Sequence, residues 1–313
     1  MLMVLGVHAD FYAISNPILR YSIALFNDAG INCFVLISGY FGIRSSKKSF
    51  GSLLFIVFFY LCISYAGLVS GGRSEFSVKS MMENLNIIGH HWFLRAYIAL
   101  YVFAPILNLF GASVTRKQYQ IFLMSWIGVE FLLGYVVDYL NFNRGYSFQA
   151  FILLYLIGQY MKIHQVKWTS FSRRTDLLMF LAFTLAGAVL LVAASLIGKE
   201  HGAEYYLRAY NSPLMILASC YFFLFFSKIH FHNDFVNLLA TSSFSVYVFH
   251  TTPWVYEPYR RFCSSIFSVD SEFVGILLTC LFIFLVYVSI FLLDYTRKFL
   301  WNTIVASVNK QKQ

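Results

Sequence analysis

Long apolar segments separated by short polar loops run through the whole chain. A segment of about 20 predominantly apolar residues can cross the hydrocarbon core of a bilayer as a helix. The pattern predicts ten spans, at residues 1–14, 28–43, 50–69, 92–110, 119–137, 148–163, 177–198, 213–229, 235–256 and 273–295. It therefore predicts an all-α, polytopic membrane helix bundle. No stretch is left for a separate soluble domain, so we interpret residues 1–313 as a single integral-membrane domain.

The first of these segments is shorter than a span needs to be. At a rise of about 1.5 Å per residue, a helix from Met1 to Ile14 reaches only about 20 Å. We therefore expect a first helix that is truncated at its N-terminus: either the true start lies upstream of Met1, or the chain lacks the beginning of this helix.

Charge supports the membrane interpretation and predicts an orientation. Only 12% of the 313 residues are charged, against about 25% in soluble proteins. The formal charge of +9 comes from basic residues in short loops, which is typical of membrane topology, so we expect contact with membrane lipids and no nucleic-acid partner. Loops 70–91, 138–147 and 199–212 are each close to neutral, and we predict that both termini are cytoplasmic. The basic loop residues on the predicted cytoplasmic side include Arg44, Lys47, Lys48, Arg116, Lys117, Lys162, Lys167, Arg173 and Arg174.

The cysteines and loop histidines do not indicate a metal site. The five cysteines are scattered through apolar segments without a Cys-x-x-Cys pair. The pairs His90–His91 and His230–His232 are not accompanied by the set of carboxylate and cysteine ligands that a metal site has, so we interpret them as loop histidines and expect no bound metal.

The clear ionisable residues inside predicted spans, away from the ends of long helices, are His8, Arg95, Glu130 and His250. With the predicted topology all four lie in the outer half of the membrane, although they come from four different helices. Because intramembrane charges normally face a bundle interior and pair there, this shared depth predicts one polar cavity. Each residue also has a purely structural interpretation: a packing histidine, an arginine that extends to the headgroups, or a protonated carboxyl bonded to a neighbouring helix.

Local spacing adds three expectations about this group. His91 and Arg95 are four residues apart, which predicts a shared helical face, and Tyr247 and His250 are three apart. Pro253 frees a backbone carbonyl just after His250, which predicts a broken helix that lines a cavity.

Several segments resemble the acyltransferase-3 family of integral-membrane O-acyltransferases. Residues 30–41, which end in Ile-Ser-Gly-Tyr-Phe, resemble the second helix of that family. Val4–His8 resembles the end of the family's first helix. The remaining matches are His91-Trp92-Phe93-Leu94 with Tyr97, Leu100, Tyr101, Pro105, Leu107 and Asn108, and Ser245-Val246-Tyr247-Val248-Phe249-His250. The similarity around Trp92–Asn108 resembles the bacterial polysaccharide O-acetyltransferase branch.

The resemblance implies a function that composition alone does not show. It implies transfer of an acetyl or other short acyl group from acyl-CoA, as a donor substrate and not a bound cofactor, to a cell-surface polysaccharide or lipid-linked glycan. The place would be the inner (cytoplasmic) membrane, crossed many times. The resemblance implies that His8 is the catalytic base, and Arg95 would hold an anionic group. Glu130 or His250 would orient the base, with His91 and Tyr247 as further supporting residues.

One departure and one alternative remain open. The family usually carries an arginine about a dozen residues before the histidine, and that position would precede Met1. The alternative function is a proton-coupled transporter or flippase of a glycan or lipid intermediate, because an embedded group of His, Arg and Glu also suits a proton relay. The chain lacks the inverted repeat and the pair of matched broken helices that many transporters have.

Overall fold

The computed structural model describes residues 1–9, 11, 14–86, 91–138, 140–165, 167–266 and 271–310. It is 82% helical, and no strand occurs among these residues, which confirms the all-α prediction. The helices in chain order are α1 (Leu2–Val7), α2 (Pro17–Phe41), α3 (Lys47–Ser70), α4 (Val78–Asn84), α5 (Trp92–Ser113), α6 (Arg116–Val129), α7 (Phe148–His164), α8 (Arg173–Leu196), α9 (Glu200–Leu207), α10 (Pro213–Ser227), α11 (Asp234–Ala240), α12 (Ser243–His250), α13 (Pro253–Ile266) and α14 (Glu272–Lys310).

Six helices in the described part of the chain are long and apolar enough to cross a membrane by length and composition. They are α2, α3, α5, α8, α14 and α6 together with its π-helical continuation Glu130–Val136. Helix α10 is apolar but has only 15 residues, and the segment predicted at 1–14 contains the six-residue helix α1.

The span predicted at 235–256 is divided by two breaks into α11, α12 and α13. Threonines at the breaks bond to carbonyls of the preceding turn: Thr241 Oγ1 donates to Leu238 O at 2.7 Å, and Thr252 Oγ1 to Phe249 O at 2.7 Å. Such local bonds compete with the helical ladder. At the second break Pro253 also has no N–H and restricts the residue before it.

The chain is divided into two compact units by its internal contacts. The first unit contains Met1–Ala13, Ser46–His90 and His232–Gln313, and the second contains Ile14–Ser45 and His91–Phe231.

In the first unit, a buried ionic network fixes α14 to its neighbours. Asp294 has no exposed surface and accepts hydrogen bonds from Tyr60 Oη of α3 at 3.0 Å and from Ser242 Oγ at 2.8 Å. Arg297, also buried, donates from Nε to the same carboxylate at 2.5 Å, and Lys298 Nζ lies 3.3 Å away. The two cations and two hydroxyls compensate the buried carboxylate, which alone would be costly in an apolar surrounding.

In the second unit, α2 is the central helix and packs against α7, α8 and α10. Glycines allow α2 and α7 to approach backbone to backbone. A Cβ atom at Gly39 would lie 2.1 Å from Tyr155 O, and one at Gly158 would lie 2.3 Å from Leu36 O. Small residues of this kind are typical of close helix pairs in membranes.

Candidate functional site

His8 stands at the C-terminal end of the short helix α1. It is the C-cap residue, with φ −92° and ψ −1°, and it follows a helix whose Val4, Leu5 and Gly6 are buried. Tyr259 Oη of α13 donates a hydrogen bond to Leu5 O at 2.8 Å. This bond joins α13 to the last turn of α1 and fixes the position from which the His8 side chain extends.

His250 is the last residue of α12 and is fully buried. Its Nδ1 lies 2.8 Å from Val246 O, one helical turn back. Because a carbonyl oxygen only accepts, Nδ1 of His250 must carry the hydrogen. The other ring nitrogen, Nε2, lies 2.9 Å from His8 Nδ1. The two imidazoles therefore form a hydrogen-bonded pair inside the first unit, and we refer to His8 and His250 together as the histidine pair.

The contact with Val246 determines the tautomers of the whole pair when both rings are neutral. A neutral imidazole carries one N–H, so His250 Nε2 has a lone pair and must accept from His8 Nδ1–H. The lone pair of His8 is then on Nε2. Among the residues that the structure describes, the one hydrogen bond of the His8 ring is made at Nδ1. The pair thus presents His8 Nε2 as a proton acceptor.

Tyrosine rings surround the histidine pair. Tyr256 stands edge-on to His8 with ring centroids 5.2 Å apart, and Arg260 lies over the Tyr256 ring at 5.8 Å. Tyr247, which the spacing placed beside His250, has its ring centroid 6.0 Å from it, and Tyr259 lies at 6.3 Å. The predicted break after His250 is confirmed, because α12 ends there and α13 begins at Pro253.

The other sequence-predicted residues belong to the second unit. His91 is buried but precedes α5, which begins at Trp92, so the prediction that His91 shares a helical face with Arg95 is wrong. Arg95 is exposed. Glu130 is 2% exposed, and its Oε2 accepts a hydrogen bond from Asn211 Nδ2 at 3.3 Å. The single polar cavity and the shared depth of the four ionisable residues stay predictions, and His90 lies outside the described residues.

Two features of these units were missed by sequence reasoning. The roles of Tyr256 and Tyr259 depend on contacts with residues near the N-terminus, for which the sequence offers no signal. Asp28 was assigned to the edge of a span, yet it is buried in the middle of α2 and pairs with Arg208 Nε at 2.8 Å. The sequence did contain a signal that α2 begins well before Asp28. Asn16 followed by Pro17 is a typical helix start, and Asn16 Oδ1 accepts a hydrogen bond from Leu19 N.

In the described residues no group of three or more His, Cys, Asp or Glu side chains is arranged to hold a metal ion. The imidazoles of the histidine pair can accept and donate protons.

Comparison with known proteins identifies a family for this chain. A family model described as an acyltransferase domain matches residues 1–302 of the 313. The chain matched none of the curated proteins and none of the solved structures with which it was compared.

Proposed function

Because this chain belongs to the acyltransferase-3 family, a family of membrane acyltransferases, we propose that it moves an acetyl or other short acyl group from acyl-CoA to a glycan hydroxyl. We further propose that it belongs to the branch that acylates bacterial surface polysaccharides or their lipid-linked precursors at the inner membrane. The motif similarity around Trp92–Asn108 supports this branch.

The observation that carries the proposal is the histidine pair. A sugar hydroxyl is a poor nucleophile at neutral pH, so its proton must be removed as it attacks the thioester. His8 Nε2, whose lone pair is set by the contacts of His250 with Val246 and His8, is suited to remove it. Positioned proton transfer of this kind contributes a factor of about 10²–10⁴ to the rate.

The reaction balances with no further reactant. The hydroxyl oxygen forms a bond to the thioester carbonyl carbon while its proton passes to His8 Nε2. The carbon–sulfur bond then breaks, the acyl group stays on the sugar oxygen, and coenzyme A leaves as a thiolate. The proton on His8 Nε2 passes to this sulfur, and the histidine returns to its neutral form.

His250 acts in this scheme as a positioning residue. When His8 is protonated, its Nδ1–H becomes a charged donor to His250 Nε2, and hydrogen bonds to charged groups are the stronger ones. The same contact keeps the His8 ring in one orientation. Tyr247 lies against His250 and supports it from the side.

Binding of the donor is assigned to basic residues. Arg95, exposed on α5, is suited to an anionic group of donor or acceptor. Clustered Lys and Arg attract phosphate, so the proposed contacts of the coenzyme A phosphates are either Lys47 and Lys48 at the start of α3 or Arg116 and Lys117 at the start of α6.

The test is acyl transfer by the purified full-length protein in liposomes. Supplied with acetyl-CoA labelled in the acetyl group and with surface polysaccharide from a strain lacking the gene, it should produce labelled, base-labile ester on the glycan. A transporter or flippase would label no glycan. Absence of ester with acetyl-, propionyl- and butyryl-CoA would contradict the proposal.

A further inference from the structure

An aromatic cluster lies in the second unit, where three segments meet. Trp92 begins α5, Tyr146 follows the 3₁₀ turn Asn143–Gly145, and Tyr210 lies between α9 and α10. The centroid of Trp92 is 4.5 Å from that of Tyr146 and 5.5 Å from that of Tyr210, with which it is stacked at 20°. Tyr146 and Tyr210 are 4.7 Å apart. Each ring therefore contacts both of the others.

The cluster extends from the interior of the unit to its surface. Tyr210 is 4% exposed and Tyr146 is 44% exposed, with Trp92 between them in exposure. The backbone around it is fixed: Tyr210 N donates to Arg144 O at 3.1 Å, and a Cβ atom at Gly145 would lie 2.6 Å from Asn211 N. The exposed ring is thus held on a rigid base, which limits the entropy lost when a ligand binds.

Acceptor oxygens are buried directly beside Tyr210. Asn211, next in the chain, donates its amide hydrogen to Glu130 Oε2, and Asn32 Nδ2 donates to Tyr210 O at 2.8 Å. Among the described residues Glu130 Oε1, Asn211 Oδ1 and Asn32 Oδ1 have no hydrogen-bond partner, although all three side chains are more than nine-tenths buried. Buried polar atoms are nearly always bonded, so these oxygens are open acceptors for a group that donates hydrogen bonds.

The π-helix that begins at Glu130 also indicates a functional site here. Residues 130–136 leave the α-helical ladder, and π-bulges inside α-helices are frequent at functional sites. A Cβ atom at Gly134 would lie 2.7 Å from Glu130 Oε2 and 2.9 Å from Asn211 Nδ2. Glycine is therefore required at position 134 for Glu130 and Asn211 to meet.

The nearby cations are already paired, which argues against a phosphate ligand. Arg208 is bound to Asp28 at 2.8 Å, and Arg144 is bound to Asp138 at 3.1 Å while it lies over the Tyr205 ring at 3.0 Å. The surroundings of Tyr210 therefore provide an aromatic ring surface and hydrogen-bond acceptors to a ligand. A pyranose ring matches both, because it has apolar C–H faces and a rim of donating hydroxyls.

We propose that Trp92, Tyr146 and Tyr210, together with Glu130 and Asn211, form a sugar-binding site. The exposed ring of Tyr146 contacts the C–H face of one sugar residue, Trp92 and Tyr210 hold that ring in place, and the buried oxygens accept hydrogen bonds from the sugar hydroxyls. The ligand is a residue of the glycan acceptor, so the inference rests on the proposed function. The three segments also lie on the side that the loop charges predict to be external, where such a glycan would be.

Binding is measured directly on the full-length His8→Ala protein in detergent, so that no transfer occurs during the measurement. The probe is a set of oligosaccharides released from the surface polysaccharide of a strain lacking the gene, and the method is isothermal titration calorimetry. Tyr146→Ala should weaken binding by about 5- to 10-fold, the usual worth of an aromatic contact. Tyr146→Phe keeps the ring and should stay within twofold of the parent.

Two further variants complete the experiment. Phe76→Ala removes an aromatic ring that is 85% exposed in the first unit and should leave affinity unchanged. Glu130→Gln keeps the acceptor for Asn211 but replaces the second carboxyl oxygen by a donor, and it should weaken binding at least 5-fold. Equal affinities for the Tyr146→Ala and Phe76→Ala proteins would overturn the site, and unchanged affinity in Glu130→Gln would remove Glu130 from it.

Failure of this site is distinguishable from failure of the proposed function. If the wild-type protein acylates glycan and Tyr146→Ala does not alter binding or the KM for the acceptor, the sugar site is wrong and the transfer stands. If oligosaccharides bind in the predicted order of variants but no acyl ester forms, the site stands and the proposed transfer is wrong.

Discussion

The two rings of the histidine pair are fixed by different means. His250 is held within its own helix, because Val246 O lies one turn back at 2.8 Å, and this i−4 relation could be foreseen once the segment was recognised as helical. His8 is held by a residue 242 positions away. The sequence indicated each histidine separately, as an ionisable residue in an apolar segment, but their contact depends on tertiary packing that no local pattern contains.

Substitution of His250 tests whether it positions the base. His250→Phe keeps a planar ring but removes the acceptor, so kcat should fall by about 10- to 100-fold, as expected when a hydrogen bond to a charged group is lost. The acidic limb of the pH–rate profile should move to lower pH, because the His8 imidazolium loses its acceptor. His250→Gln supplies an amide oxygen and should recover most of the activity. A purely structural role would leave the pH profile in place.

Asp294 gives a second prediction for a single residue. Asp294→Ala would leave the buried Arg297 without its carboxylate, and breaking a buried ion pair typically costs about 3–5 kcal/mol. Thermal unfolding in detergent should therefore occur at a clearly lower temperature. Asp234, whose side chain is 96% exposed, is the matched control, and Asp234→Ala should unfold like the wild type. Equal midpoints of thermal unfolding for Asp294→Ala and Asp234→Ala would contradict this account of the Asp294 network.

At the scale of elements, apolar runs located the long helices but not their ends. Helix α2 begins at Pro17, well before the predicted boundary at residue 28, and α14 continues to Lys310, beyond the predicted end at 295. In both cases charged residues stand at the predicted boundary: Asp28 in α2, and Asp294 and Arg297 in α14. Each is paired inside its unit, and the sequence does not show where a partner will lie.

The close approach of α2 and α7 is testable by adding single methyl groups. Gly39→Ala and Gly158→Ala each place a Cβ atom against the backbone of the other helix, which cannot move without separating the pair. We expect each variant to lose about 1–3 kcal/mol of stability, as overpacking does, measured as a lower unfolding temperature in detergent. Gly128 in α6 has nothing within 4 Å of such a Cβ, so Gly128→Ala should be neutral or slightly stabilising. If Gly39→Ala and Gly158→Ala were both as stable as the wild type, the backbone contact of α2 with α7 would be refuted.

At the scale of the whole molecule, charge in the loops predicts the orientation of the chain. Reporter fusions at Lys47, Lys117 and Lys167 should report the cytoplasm, because basic loops remain on that side. Fusions at Asn84, Asn141 and Gly202 should report the outside. A reversed pattern would remove the basis for placing the sugar site externally and for assigning the basic residues of α3 and α6 to the donor.

The central claim is that His8 is the base of an acyl transfer, and kcat/KM of His8→Ala tests it most directly. The matched control is His201→Ala, which removes an exposed histidine of α9. Both proteins are purified at equal yield and assayed with labelled acetyl-CoA and polysaccharide. We predict a loss of about 10²–10⁴-fold for His8→Ala and wild-type activity for His201→Ala. Retention of more than about a tenth of the activity by His8→Ala would contradict the claim, because that loss is smaller than general-base catalysis supplies.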